Sequence, residues 1–253
     1  MSYQIKRSPY QGAQQILQYN WTFYAVAGVL CAGGMLLWLA IDLGNLWRVL
    51  LGLAIFATVF WSSSSLIISH YVYDRSELYR LTWLQSLLAR DPPKWINIHA
   101  GLDETSLLLM QCYPDSDYQI LDIYDPATMT EPAIKRARKI TIPELTGTPA
   151  DFRQLPVPDE VCDVVFIFFA AHELRTEAAR VSFLREVYRI LKDRGQVIIV
   201  EHLRDFPNFL AFGPGYFHFL THNDWLTAIR LANFASVEEI KITPFVSAFC
   251  LQK

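Results

Sequence analysis

Charge is missing from two long stretches of the 253-residue chain: no Asp, Glu, Lys or Arg lies between Arg7 and Asp42, or between Arg48 and Asp74. Within these gaps, residues 21–41 and 49–69 are each about long enough to cross a ~30 Å bilayer core as a helix. Two such runs in succession rarely fit one small core, which argues against a buried hairpin of a soluble domain. Gly28, Gly33, Gly34 and Gly52 permit close helix contact in a membrane, and Trp21, Trp38, Trp47 and Trp61 include candidates for interface anchors. The polar run Ser62 to Ser65 is expected to face the partner helix. A cleaved signal peptide is not expected, because the first run is too long and has no small-residue cleavage site.

Cysteine is scarce as well. Cys31, Cys112, Cys162 and Cys250 show no paired spacing and no CxxC, so neither a disulfide framework nor a zinc knuckle is expected. Basic residues are in deficit beyond the apolar runs. The first 73 residues hold three of the 22 basic and one of the 25 acidic residues, which leaves 19 against 24, a net −5, from Asp74 onward. That balance opposes nucleic-acid binding. Lys6 and Arg7 precede the first run, Arg75, Arg80, Arg90 and Lys94 follow the second, and only Arg48 lies between them. Both termini are therefore expected in the cytoplasm at an inner (cytoplasmic) membrane, with residues 42–48 outside. The expected organisation is a cytoplasmic segment (1–20), a transmembrane hairpin (21–73), a juxtamembrane helix and linker (74–94, its helix pattern covering 73–88) and a cytoplasmic domain (95–253).

Glycine is short where a nucleotide-binding fold concentrates it. The stretch NIHAGLDETSLLL runs strand, turn, helix, yet holds one glycine, Gly101, beside Asp103 and Glu104. An acidic loop repels a pyrophosphate and suits a ligand carrying a sulfonium and an ammonium group; the plainer reading is that the acids cap the next helix. Beyond it, strand patterns (95–99, 119–123, 161–169, 196–200, 237–242, 245–251) alternate with helix patterns (104–112, 132–139, 177–191, 224–235, the last capped by Asn223 or Asp224). Residues 161–169 form a continuous apolar run, as in a strand buried on both faces. Such alternation predicts a doubly wound, mostly parallel α/β sheet. Only Thr243-Pro244 separates the last two strands, so they are expected to be antiparallel neighbours.

Ligands of such sheets lie beyond the carboxyl ends of the strands. His99, Gly101 and Glu104 fall at the first of these ends. Asp122 lies 21 residues after Gly101, with Asp125 behind it, and an acid there can accept from ribose hydroxyls. Asp151 precedes the long apolar strand. His172 and Glu173 follow it, and EHLRD (Glu201 to Asp205) ends the next strand. His172, Glu173 and His202 are the candidates for taking a proton from an acceptor. No ligand spacing specifies a metal.

The segments LPVPDEVCDVVFIFFAAHEL and FLREVYRILKDRGQVIIVEH resemble those of the class I S-adenosylmethionine-dependent methyltransferases, and the likeness runs from about Trp95 to Lys253. The resemblance implies a seven-stranded Rossmann-like sheet with an antiparallel last strand and S-adenosyl-L-methionine as cofactor. It also implies Asp122 on the ribose, Asp151 on the adenine amino group and Phe152 as the adjoining backbone contact. At the entrance the family's acid-then-GxGxG is replaced by Asn97 and HAGLDETS. The pattern as a whole is similar to a membrane-anchored bacterial branch carrying YD-x-S-x-LY, DETS, HE-x-R and EH-x-RD segments.

Residues 206–222 (FPNFLAFGPGYFHFLTH) are dense in Phe and Tyr and broken by Gly213-Pro214-Gly215. They are expected to lie over the substrate side as an apolar lid facing the bilayer, which points to a small, hydrophobic or lipid-like acceptor; a core-covering loop is the plainer alternative. Three rivals remain at this stage. A nicotinamide oxidoreductase lacks its glycine-rich turn here. A non-catalytic membrane scaffold would keep the fold without the cofactor. A protein acceptor has no readable peptide groove.

Overall fold

Asp74 receives the amino end of the first helix. In the computed structural model, which describes residues 7–140, 145 and 147–253, the backbone N–H groups of Gly12 and Ala13 donate to the Asp74 carboxylate at 2.7 and 3.3 Å. This acid at a helix N-terminus satisfies otherwise unpaired donors and anchors α1 (Gln11–Tyr19) beside the base of the second long helix. The two apolar runs form α2 (Trp21–Ala40) and α3 (Asn45–His70), each long and apolar enough to cross a membrane by length and composition. Gly34 lets them approach, since a Cβ there would already stand 3.3 Å from Ile55 and Leu51. As expected of the serine run, Ser65 meets Tyr24 of α2 at 2.9 Å. Ser64 instead donates to the backbone carbonyl of Leu210. The outer faces stay bare: Val29, Leu36, Leu39, Leu46 and Phe56 are 67–76% exposed, a surface a soluble monomer rarely shows.

Residues 73–88 do not form the single amphipathic helix that their pattern suggests. The chain makes a π turn (Tyr71–Arg75), a 3-10 turn (Leu78–Arg80) and one short helix, α4 (Leu84–Leu87). Ser76 is extended and its hydroxyl bonds to the Val72 carbonyl and the Leu78 N–H, while Leu81 adopts φ +58°. The breaks let Val72, Leu78, Leu81, Leu84 and Leu87 all bury in one cluster against the sheet.

The sheet contains β1 (Lys94–His99), β2 (Asp117–Asp122), β3 (Thr148–Pro149), β4 (Cys162–Phe168), β5 (Leu191–Glu201), β6 (Ser236–Thr243) and β7 (Val246–Gln252). Their order is β3-β2-β1-β4-β5-β7-β6, and β7 alone runs against its neighbours. The antiparallel end follows from the short β6–β7 connection. Between the strands lie α5 (Ser106–Cys112), α6 (Pro132–Ala137), α7 (Glu177–Ile190), α8 (Phe206–Phe212) and α9 (His222–Leu231). Residues from α6, α7 and α9 pack on one sheet face with Ile96, Val165 and Ile199. The linker and α5 cover the other, with Trp95, Phe166 and Ile198. Helix α9 begins earlier than expected, at a Thr221 cap rather than Asn223 or Asp224. Thr221 and Asp224 form a capping box, which fixes that boundary.

Register brings the carboxyl ends level. His99 stands opposite Asp122, Ile98 opposite Ile167, and Phe168 opposite Val200. The candidate residues are therefore delivered to one edge of the sheet.

Candidate active site

Asn97 shapes the glycine-poor entrance. Fully buried on β1, its amide donates to Asp103 (3.2 Å), Thr105 (3.1 Å) and Ser106 (2.8 Å), and Asp103 accepts from the backbone N–H groups of Thr105 and Ser106. Side-chain bonds thus hold a turn that glycines usually allow, and Asp103 serves the helix start through Oδ1. Glu104 turns the other way. Its carboxylate accepts from Arg7 (2.8 Å), Gln15 (2.9 Å), Gln11 (3.3 Å) and Tyr79 (3.2 Å), so the amino-terminal segment closes over the loop. The Arg7 guanidinium also lies over the Tyr79 ring, at 4.0 Å.

His172 lies between two carboxylates. Its Nδ1 stands 2.8 Å from Glu201, which is 1% exposed, and its Nε2 stands 3.5 Å from Glu173. Burial disfavours the imidazolium, but the Glu201 charge and the bonds to both carboxylates outweigh it and push the group up to about 10. Glu173 is disfavoured as a charge by burial, yet the facing His172 holds it below its usual value. His202, the third candidate base, is engaged at both nitrogens. Nδ1 donates to the Phe245 carbonyl at 2.8 Å, and Nε2 lies 2.8 Å from the Tyr73 hydroxyl. Burial lowers it to about 4, so it is a neutral wall residue at ordinary pH.

These groups surround a cavity of about 740 Å³, whose wall includes His99, Gly101, Glu104, His172, Glu173 and His202. Among the described residues, Asp122, Asp151 and Phe152 stand outside this wall. Asp122 is held by Arg138 (2.7 and 3.0 Å), which also bonds the Ala100 carbonyl. Asp151 caps its own exposed turn through the Arg153 N–H at 2.8 Å, and Phe152 is buried below Arg153. Glu201, named only as the start of the EHLRD segment, is not among the candidates that the sequence singles out. Strand alternation could have singled it out, because Glu201 continues the Val197–Ile199 face while His202 continues the other.

The opposite wall is apolar. It combines Phe23, Tyr24 and Ser65 of the long helices with Phe212, Phe217 and Phe219 of the aromatic insertion. The insertion rests on α3: Trp61 meets Phe209 at 5.4 Å, and Gly213, at φ +54°, leaves no space for a Cβ against the Trp61 ring. The cavity thus runs from the sheet edge to the apolar helices.

The fold is the one found in S-adenosylmethionine-dependent methyltransferases. Residues 109–199 match the sequence model of the family described as "Methyltransferase domain". An S-adenosylmethionine-dependent methyltransferase from Aquifex aeolicus aligns over 71% of this chain and 93% of its own, with 15% identity and a TM-score of 0.54. Human N-acetylserotonin methyltransferase, solved with S-adenosylmethionine, aligns over 97% of this chain and 71% of its own, with 16% identity and a TM-score of 0.55. No curated protein matches the chain in sequence.

Proposed function

We propose that the protein transfers a methyl group from S-adenosylmethionine to a small hydrophobic or lipid-like acceptor at the cytoplasmic face of a membrane that α2 and α3 span. One observation carries this reading: a single cavity joins the entrance loop, the His172 cluster and side chains of the two apolar helices. The family match and the fold support the cofactor.

The entrance fits the amino-acid end of that cofactor. Glu104 faces the cavity as an acceptor for an ammonium group, while the Tyr19 hydroxyl on the cavity wall and Nε and Nη2 of Arg7, which is paired with Glu104, are buried donors with no partner among the described residues. They suit a carboxylate. At the ribose, Asp122 must exchange Arg138 for the sugar hydroxyls. When bound, S-adenosylmethionine supplies an activated methyl group. The chain's own part is to position the acceptor and exclude water, both of which the aromatic wall serves. Glu173, kept ionised by His172, takes the acceptor's proton, and Glu201 fixes the imidazole between them. A tethered domain also meets lipid-dissolved acceptors at high local concentration. In liposome assays, lipophilic phenols or hydroxyls are expected to be methylated in preference to water-soluble analogues; equal turnover of both overturns the acceptor assignment.

A second reading, a membrane-anchored scaffold without catalysis, is favoured by one fact: the protein's own cations occupy both Asp122 and Glu104. Calorimetry with S-adenosylmethionine separates the two. Heat of binding supports the enzyme, and none at millimolar ligand with a folded chain supports the scaffold.

A further inference from the structure

We propose that His172, Glu173 and His218 form a binding site for a divalent transition-metal ion at the acceptor end of the cavity. Each side chain contributes one donor atom, and these atoms lie within 4.8 Å of one another. The His172 Nε2 to Glu173 Oε1 distance of 3.5 Å is close to the spacing of two donors that share one ion through bonds of about 2.1 Å. His172 and His218 come from different segments, the turn after β4 and the insertion before α9. No spacing in the sequence signals the set; the fold assembles it.

Two observations independent of that proximity favour a metal. Each imidazole presents its other nitrogen to a carboxylate: His172 Nδ1 to Glu201 at 2.8 Å, and His218 Nδ1 to Glu131 at 2.9 Å. Metal-bound histidines show this arrangement because the carboxylate fixes the tautomer and ring angle and makes the ligating nitrogen more basic. Arg175 supplies the second. Its Nη1 donates to the carbonyls of both His172 (3.1 Å) and His218 (2.7 Å), clamping the two histidine backbones together. Two nitrogen donors and one oxygen donor select zinc, manganese, iron or cobalt over magnesium and calcium.

Three protein ligands leave the remaining coordination positions open toward the cavity. There the ion would take an oxygen of the acceptor, such as a phenolate, alkoxide or carboxylate oxygen on an apolar molecule, with the Glu173 oxygen that is not on the ion left to receive the acceptor's proton. That last step rests on the function proposed above; the metal site does not.

Full-length protein in detergent, stripped with a chelator and titrated with cobalt(II), tests the site without any cofactor. One ion per chain is expected, with visible cobalt absorption. His218→Ala should weaken binding at least tenfold, and Glu131→Gln, a more exposed change, roughly tenfold. Circular dichroism and binding of S-adenosylhomocysteine report whether each variant is folded, and they separate loss of the metal site from failure of the methyltransferase reading. Absence of binding by the wild-type chain, or unchanged affinity in folded His218→Ala and Glu131→Gln, overturns the proposal.

Discussion

Arg138 grips Asp122 with both terminal nitrogens, at 3.0 and 2.7 Å, and stacks over Tyr124 at 4.1 Å. A ribose reaching Asp122 therefore competes with an ion pair already formed. Asp122→Asn is expected to weaken S-adenosylhomocysteine binding about tenfold, or ~1.4 kcal/mol, through loss of a charged acceptor. Arg138→Ala should bind at least as tightly as the wild type. Calorimetry checks both, and a tenfold loss in Arg138→Ala would instead make the ion pair part of the binding surface.

Glu201 acts through His172, since it is buried and touches the imidazole rather than the cavity's open face. Glu201→Gln keeps the shape and removes the charge. We expect kcat to fall about 100-fold, within the range of general acid–base effects, with KM changed only a few-fold. Steady-state assays on liposomes separate the two constants; an unchanged kcat would refute the positioning role.

His202 should leave a mark on stability. Its folded-state value near 4 lies below the ordinary 6.5, with burial as the main cause, opposed by the Phe245 carbonyl and Asn208 bonds. Below pH 6.5 the unfolded chain binds a proton that the folded chain refuses. Stability therefore falls as pH drops from about 6.5 to 4, by on the order of 3 kcal/mol in total, and levels off below. Melting curves across this window for wild type and His202→Gln isolate the effect, because other titrating groups are common to both. Parallel curves would contradict it.

The seat of the aromatic insertion is set by Gly213 against Trp61. Gly213→Ala adds a Cβ where none fits and forces a side chain into positive φ. A loss of about 1–3 kcal/mol is expected. Trp61→Ala should relieve the steric part of that penalty and leave the backbone strain, and a double-mutant cycle on thermal unfolding measures the coupling. Additive effects would show that the two residues do not press on each other.

Much of the fold could be read from local signals. The apolar run at 161–169 became the central strand β4, and the short Thr243-Pro244 link fixed the antiparallel end. Strand β3 escaped notice because two residues, Thr148 and Pro149, carry no pattern of their own. The 73–88 segment has helical periodicity, but burying its leucines against the sheet took precedence over regular helix. At the site, His172 and Glu173 were legible as polar residues at a strand mouth. The contacts that hold Glu104 and His218 were not, because their partners Arg7 and Glu131 lie 97 and 87 positions away in the numbering. Contacts over such separations leave no spacing to read.

The bond between Arg7 and Glu104 ties traffic through the pocket to the amino-terminal arm. That arm is pinned by Asp74 at the foot of α3. If S-adenosylhomocysteine leaves past Glu104, as the proposed function implies, the Arg7 contact acts as a latch on its exit. Arg7→Ala should therefore speed release of S-adenosylhomocysteine in stopped-flow measurements, so that an arm anchored at the foot of α3 would set the pace of turnover.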